Sequence, residues 1–220
     1  MSEIAHRTVE TNGIRMHLAE AGRGPLVVMC HGFPKSWYSW RHQLVALAAA
    51  AYHAVAPDMR GYGQTDAPAA IEAYTLLHLV GDIIGLFAAL GEKTAVVAGH
   101  DWGATVAWHA ALLRPDIFRG VVGLSVPFRP RGVTRPTTVM PQTDEAVFYQ
   151  LYFQALGAAE AEFGREPSAT IRRRLYTGSG DLLSHGDGAG MPGMVRRGRM
   201  RSKKLAASTR SLPIRRRSTV

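Results

Sequence analysis

The residues most suited to chemistry are Gly99-His100-Asp101-Trp102-Gly103, which follow the apolar run Val96-Val97-Ala98. A strand entering this segment and a helix leaving it would place Asp101 on a tight turn of the type small-x-nucleophile-x-small. Small residues are needed on either side because such a turn is strained and a flanking side chain would strike neighbouring backbone. A carboxylate at this position needs no base to activate it, since carboxylates are ionised at neutral pH. Its attack on an sp³ carbon, as in an epoxide or an alkyl halide, yields an ester that water can later cleave. A serine attacking the same carbon would yield an ether and stop there. The competing explanation is an aspartate that merely caps the following helix.

A second segment, His31-Gly32-Phe33-Pro34, directly follows the apolar run Leu26–Cys30. A loop in this place supplies one backbone N–H of an oxyanion hole, and the residue after the nucleophile supplies the other. The amides of Phe33 and Trp102 are therefore the expected donors, stabilising charge on the Asp101 carbonyl oxygen while water attacks the ester. The plainer alternative is a turn carrying a buried histidine.

The elements that must position these groups can be read from pattern. Residues 6–12 and 14–20 form two strands around the turn signal Asn12-Gly13. The run 26–30 is apolar at every position, which fits a strand buried on both faces of a parallel sheet. Residues 36–51 read as a helix and 53–56 as a strand. Residues 75–90 read as an amphipathic helix stopped by Gly91, with Leu76, Val80, Ile83, Phe87 and Leu90 on one side. A strand over 94–98, a helix over 104–113 and a strand over 121–126 follow. Strand and helix alternating at this spacing predict a parallel α/β sheet. Residues 127–143, with four prolines, read as a linker, and residues 144–176 read as helical. Beyond residue 178 no period of 2 or 3.6 persists, so residues 178–220 read as a solvated, disordered tail.

Taken in order, His31-Gly32-Phe33-Pro34, Asp58-Met59-Arg60-Gly61-Tyr62-Gly63 and Gly99-His100-Asp101-Trp102-Gly103 resemble the epoxide hydrolases of the α/β-hydrolase superfamily. Phe148-Tyr149-Gln150-Leu151-Tyr152-Phe153-Gln154, followed by Gly157 and Glu160, resembles that family's cap segment. The resemblance covers about residues 6–176. It implies an α/β-hydrolase fold with a mostly parallel sheet and a partial helical cap, divided into a core (1–126), a linker with partial cap (127–177) and a basic tail (178–220). It implies a small-molecule epoxide and water as substrates, and no metal or organic cofactor. By position in the cap, Tyr149 is the donor to the epoxide oxygen, offsetting the alkoxide charge as the ring opens. The packing face of a helix would also account for these aromatics.

The family pattern also includes a water-activating histidine, an acid that orients it and two further strands. The only histidine after the cap segment is His185, in Ser184-His185-Gly186-Asp187, and no strand-like run leads into it. After 121–126 the residues are Pro127-Phe128-Arg129, with no acid. A frameshifted or truncated hydrolase, impaired in ester hydrolysis, is the favoured explanation, and an exposed strand edge with poor stability is expected to accompany it. Two rivals remain. A haloalkane or haloacid dehalogenase would share the Asp101 nucleophile, with the Trp102 indole serving the halide. A non-catalytic remnant would finish no reaction.

Composition narrows the setting. The net charge of +9 is uneven: residues 178–220 hold 10 Lys/Arg against 2 Asp/Glu, while residues 1–177 hold 16 against 15. The high pI is thus a property of the tail. No Phe, Trp or Tyr lies in 178–220, so a specific nucleic-acid site of the base-stacking kind is not expected. The longest apolar stretch, Leu44 to Tyr52, is too short for a membrane span, and the first dozen residues lack a signal-peptide core. The single cysteine, Cys30, allows no internal disulfide, which suits a cytoplasmic location.

Overall fold

The computed structural model describes residues 3–177 and 194–196. The chain divides into two compact units, Met1–Pro130 and Arg131–Val220. In the first unit, β1 (Ala5–Thr11) and β2 (Ile14–Ala21) form a hairpin about Asn12-Gly13, both in the left-handed region. β3 (Leu26–Cys30), β4 (His53–Pro57), β5 (Ala95–His100) and β6 (Phe118–Leu124) complete a six-stranded sheet of order β1-β2-β4-β3-β5-β6. β1, β2 and β4 are antiparallel to their neighbours in that order, whereas β4-β3-β5-β6 is a continuous parallel set.

The uniform apolarity of β3 is explained by its position, with all five residues buried. Leu26, Val28 and Cys30 face one layer, which contains Ile83, Leu86 and Phe87 of α2 (Leu76–Leu90) and Val106 and Ala110 of α3 (Trp102–Leu113). Val27 and Met29 face the other, with Trp40 and with Leu44 of α1 (Arg41–Ala49). Alternating side chains thus serve two cores. Each large apolar side chain buried this way contributes about 1.5–3 kcal/mol. The Thr75 hydroxyl accepts the His78 N–H to start α2, and Gly91, at φ 71°, ends it.

Several boundaries differ from the sequence reading. The helix expected over 36–51 opens with a 3₁₀ turn at Trp37–Trp40, closed by Ser39 N–H donating to Ser36 O, and only then becomes α1. The strand expected over 94–98 is β5, and the helix expected from 104 begins at Trp102. The strand expected over 121–126 runs from Phe118 to Leu124; Phe118 buries its ring against Phe87 at 5.2 Å, and Ser125, at φ 65°, turns the chain away. Among the described residues β6 pairs only with β5, and its Val122 and Leu124 are exposed.

Among its described residues the second unit holds four helices, α4 (Pro136–Val139), α5 (Tyr149–Tyr152), α6 (Ala158–Phe163) and α7 (Pro167–Thr177). Residues 144–176 are not wholly helical, because Ala146–Phe148 forms β7. It pairs antiparallel with β8 (Met194–Arg196), inside the segment read as a structureless tail. Val195 is buried, so this strand has an apolar anchor. A strand partner 48 residues away leaves no local period to detect. The rest of 178–220, including His185, lies outside the described residues. No described helix is long and apolar enough to cross a membrane.

Candidate active site

Asp101 sits between the end of β5 and the start of α3 with φ 57° and ψ −124°, a conformation that a side-chain-bearing residue adopts only under strain. Glycines make the turn possible. A Cβ on Gly99 would overlap the Gly103 carbonyl, and one on Gly103 would overlap the carbonyls of Cys30 and His31. A Cβ on Gly32 would overlap the Asp101 side chain itself. The 31–34 loop therefore reaches the carboxylate with bare backbone, and the Phe33 N–H donates to Asp101 Oδ1 at 3.0 Å. A cis peptide joins Phe33 to Pro34. Trp102 is the first residue of α3, where amides have no intrahelical acceptor. Its side chain is half-exposed.

His31 is buried, and backbone groups engage both of its ring nitrogens. Its Nδ1–H donates to Gly32 O at 3.0 Å, and its Nε2 accepts the Met59 N–H at 3.0 Å. These partners require the neutral ring, and burial holds its pKa below the ordinary value. Burial, assisted by the positive charge of Lys35, also lowers the pKa of His100, next to Asp101.

The segment Asp58–Gly63, quoted above only for its resemblance, proves to be the scaffold of this site. Asp58, 1% exposed, accepts the Trp37 N–H on Oδ1 at 3.0 Å, and on Oδ2 the Gln64 N–H at 3.1 Å and His17 Nδ1–H at 2.9 Å. Arg60 forms a buried ion pair with Asp82 of α2, its Nε–H donating to Oδ2 at 2.8 Å. The Tyr62 ring stands edge-on to His31, with centroids 5.0 Å apart. Burial first, then the Asp101 charge, pushes the Tyr62 phenol up to about 12. The sequence signal for all three residues was the motif itself, but it assigned them no task.

Tyr149 opens α5 in the second unit. Its ring contacts Phe148 at 4.8 Å and Phe153 at 5.6 Å, and its hydroxyl accepts a hydrogen bond from Gln150 Nε2 at 3.1 Å. The aromatics of this segment thus do pack on one another. Among the described residues no cluster of His, Cys, Asp and Glu has the arrangement of a metal site.

In chemical terms, a carboxylate at a strained turn is gripped through one oxygen by a backbone amide, beside a helix N-terminus. Such a group can attack through its other oxygen, and the amides can then hold negative charge on the first.

The chain is similar to several known proteins. A family profile described as alpha/beta hydrolase fold matches residues 25–197. "Epoxide hydrolase 3" of Siraitia grosvenorii is 47% identical over 174 residues, 78% of this chain and 54% of that protein. "Epoxide hydrolase A" of Mycobacterium tuberculosis is 46% identical over 190 residues, 85% of this chain and 58% of that protein. Among solved structures, an epoxide hydrolase from Vigna radiata superposes with a TM-score of 0.74 at 50% identity, covering 79% of this chain and 54% of that one. One from an endophytic Streptomyces superposes with a TM-score of 0.71 at 55% identity, covering 74% and 50%. The chain spans about half the length of the curated relatives it matches.

Proposed function

The chain belongs to the α/β-hydrolase fold family, and from that premise we propose that it opens epoxides by nucleophilic attack of Asp101. The observation that carries this reading is the Phe33 N–H held at 3.0 Å from Oδ1 of a carboxylate on the left-handed turn. Oδ1 is occupied by the donor, so Oδ2 is the attacking oxygen. It forms a bond to one ring carbon as the carbon–oxygen bond of the epoxide breaks. The Tyr149 phenol donates its proton to the departing oxygen, leaving a hydroxyalkyl ester on Asp101. Water then adds to the ester carbonyl. The negative charge gathers on Oδ1, where the Phe33 and Trp102 amides stabilise it; on collapse one proton of the water goes to the departing alkoxide, giving the diol, and the other to the Tyr149 phenolate, which restores both the carboxylate and the phenol. The water-activating step is assigned to none of the described residues.

Epoxide hydrolase names among the relatives support this substrate class over alkyl halides. Incubation with an aryl epoxide, read by intact mass beside an Asp101→Ala control, tests the reading. The expected result is an adduct of epoxide mass, mapping to Asp101 and absent in the control, or diol formed in its place. Neither adduct nor diol would overturn the proposal.

A further inference from the structure

His17 and Asp58 form a buried acid–base pair to which the proposed chemistry gives no task. The Asp58 carboxylate is 1% exposed and the His17 side chain 4%. Their contact is one step in a longer array. From the exposed His6, Nδ1 lies 3.1 Å from His17 Nε2, and the Gln64 amide nitrogen lies 3.4 Å from the same atom. A carboxylate only accepts, so His17 carries its proton on Nδ1 and donates it to Asp58 Oδ2 at 2.9 Å. Asp58 Oδ1 accepts the Trp37 N–H at 3.0 Å.

Trp37 ends the loop whose start is His31 and whose middle is Phe33. The start is also tied, through His31 Nε2 and the Met59 N–H. Both ties land on neighbouring residues, Asp58 and Met59, so one short segment after β4 determines where the Phe33 amide lies. That segment is in turn bound to β2 at His17. The Asp58 N–H donates to His17 O at 3.0 Å, the His17 N–H donates to Thr65 Oγ1 at 3.0 Å, and Thr65 Oγ1–H donates to Asp58 O at 2.7 Å. Gly63, at φ 54°, lets the chain wrap the carboxylate, since a Cβ there would overlap it. Among the described residues no Arg or Lys pairs with Asp58. A buried aspartate so placed is seldom found without a partner, and here three donors from three segments converge on it.

We infer that Asp58 and His17 are positioning residues, which hold the Phe33 amide on Asp101 through the Trp37 N–H. The inference rests on the reading of Asp101 as nucleophile only for its catalytic consequence; the geometry it predicts stands apart from activity. His17→Phe keeps an aromatic ring but removes the donor to Asp58. His17→Gln keeps a side-chain N–H that can donate. Asp58→Asn keeps one acceptor for Trp37 and loses the second. Leu86→Ala, buried in the core layer on the other side of the sheet from Trp37, is the control for general loosening.

The test follows the Phe33 amide in protein labelled with ¹⁵N-phenylalanine, by chemical shift and hydrogen exchange. His17→Phe and Asp58→Asn are expected to move its resonance and speed its exchange by at least about tenfold, a loss of local protection. His17→Gln should restore both, and Leu86→Ala should leave the resonance in place. In parallel, the rate at which the Asp101 ester is lost to water, the step in which the Phe33 amide holds charge, should fall between about tenfold and a hundredfold per folded molecule in His17→Phe, as for a misplaced catalytic group. The epoxide concentration for half-saturation should stay within about twofold, because the epoxide itself touches neither residue. A Phe33 resonance unmoved in His17→Phe would overturn the inference, as would a shift equal to that in Leu86→Ala. Should Asp58→Asn fail to fold, the two His17 variants decide alone. Absence of adduct in the wild-type chain would overturn the Asp101 reading and leave the amide measurement to decide the positioning.

Discussion

The Phe33 amide donates to Asp101 Oδ1 at 3.0 Å across 68 residues of sequence. Two loops from neighbouring parallel strands, β3 and β5, therefore meet at one oxygen atom. Gly32 is the residue that permits the meeting, since any side chain there would occupy the space of the carboxylate.

Gly32→Ala should for this reason disable the site while leaving most of the sheet intact. Overpacking of this kind costs about 1–3 kcal/mol of stability. Loss of the Phe33 contact should slow the loss of the Asp101 ester to water by about 10²–10³-fold, the range found when an oxyanion donor is removed, because charge gathers on Oδ1 only in that step. A time course of intact mass with an aryl epoxide, beside a urea melt, separates the two effects. A rate equal to that of the unaltered chain would show that the Gly32 approach is dispensable.

Tyr149→Phe keeps the ring contacts to Phe148 and Phe153 and removes only the hydroxyl, which Gln150 otherwise bonds. Thermal stability should change little. If the phenol protonates the opening ring, adduct formation should slow by about a hundredfold, the lower range of general acid catalysis. An unchanged rate would reduce Tyr149 to a packing residue of α5.

The Arg60–Asp82 pair joins the Asp58–Gly63 segment to α2 out of contact with water, with Arg60 4% and Asp82 0% exposed. Asn12 also donates to Asp82 Oδ1 at 2.8 Å. Removing one partner leaves a buried charge uncompensated, so Asp82→Ala should lose about 3–5 kcal/mol. Urea denaturation at neutral pH measures this. A loss below about 1 kcal/mol would mean that solvent reaches Arg60 once the carboxylate is gone.

His31 gives a pH dependence of definite sign. Burial lowers its pKa in the folded chain relative to the ordinary value of 6.5. The unfolded chain therefore takes up the proton first as pH falls, and stability rises with pH in that window. The contribution is fully present above about pH 6.5 and is lost progressively as pH drops toward the lower folded value. Urea midpoints at pH 7.5 and 5.5 should differ more in the unaltered chain than in His31→Asn, whose side chain does not titrate in this range. Equal differences would place the pH sensitivity elsewhere.

Local pattern carried much of this protein. The two-faced apolarity of residues 26–30 marked an interior strand, and the apolar stripe of residues 76–90 with Gly91 marked α2, because burial imposes a period on the residues it covers. The elbow glycines were legible because a tight turn excludes Cβ atoms at fixed offsets from Asp101. Other features had no local signature. Phe118 falls outside the strand read over 121–126, and its place in β6 is seen only with Phe87 beneath it. Ala146–Phe148 reads as helix because its strand partner, Met194–Arg196, lies far along the chain. Asp58 reads as one member of a motif, yet its three donors come from Trp37, Gln64 and His17. The sequence by itself determined the α/β class, the placing of Asp101 on a tight turn and the need for bare backbone around it. Only the tertiary structure decided which amide grips that carboxylate and which buried pair holds the amide in place, because hydrogen bonds between distant segments depend on where the sheet and its helices bring them, and no residue spacing records that.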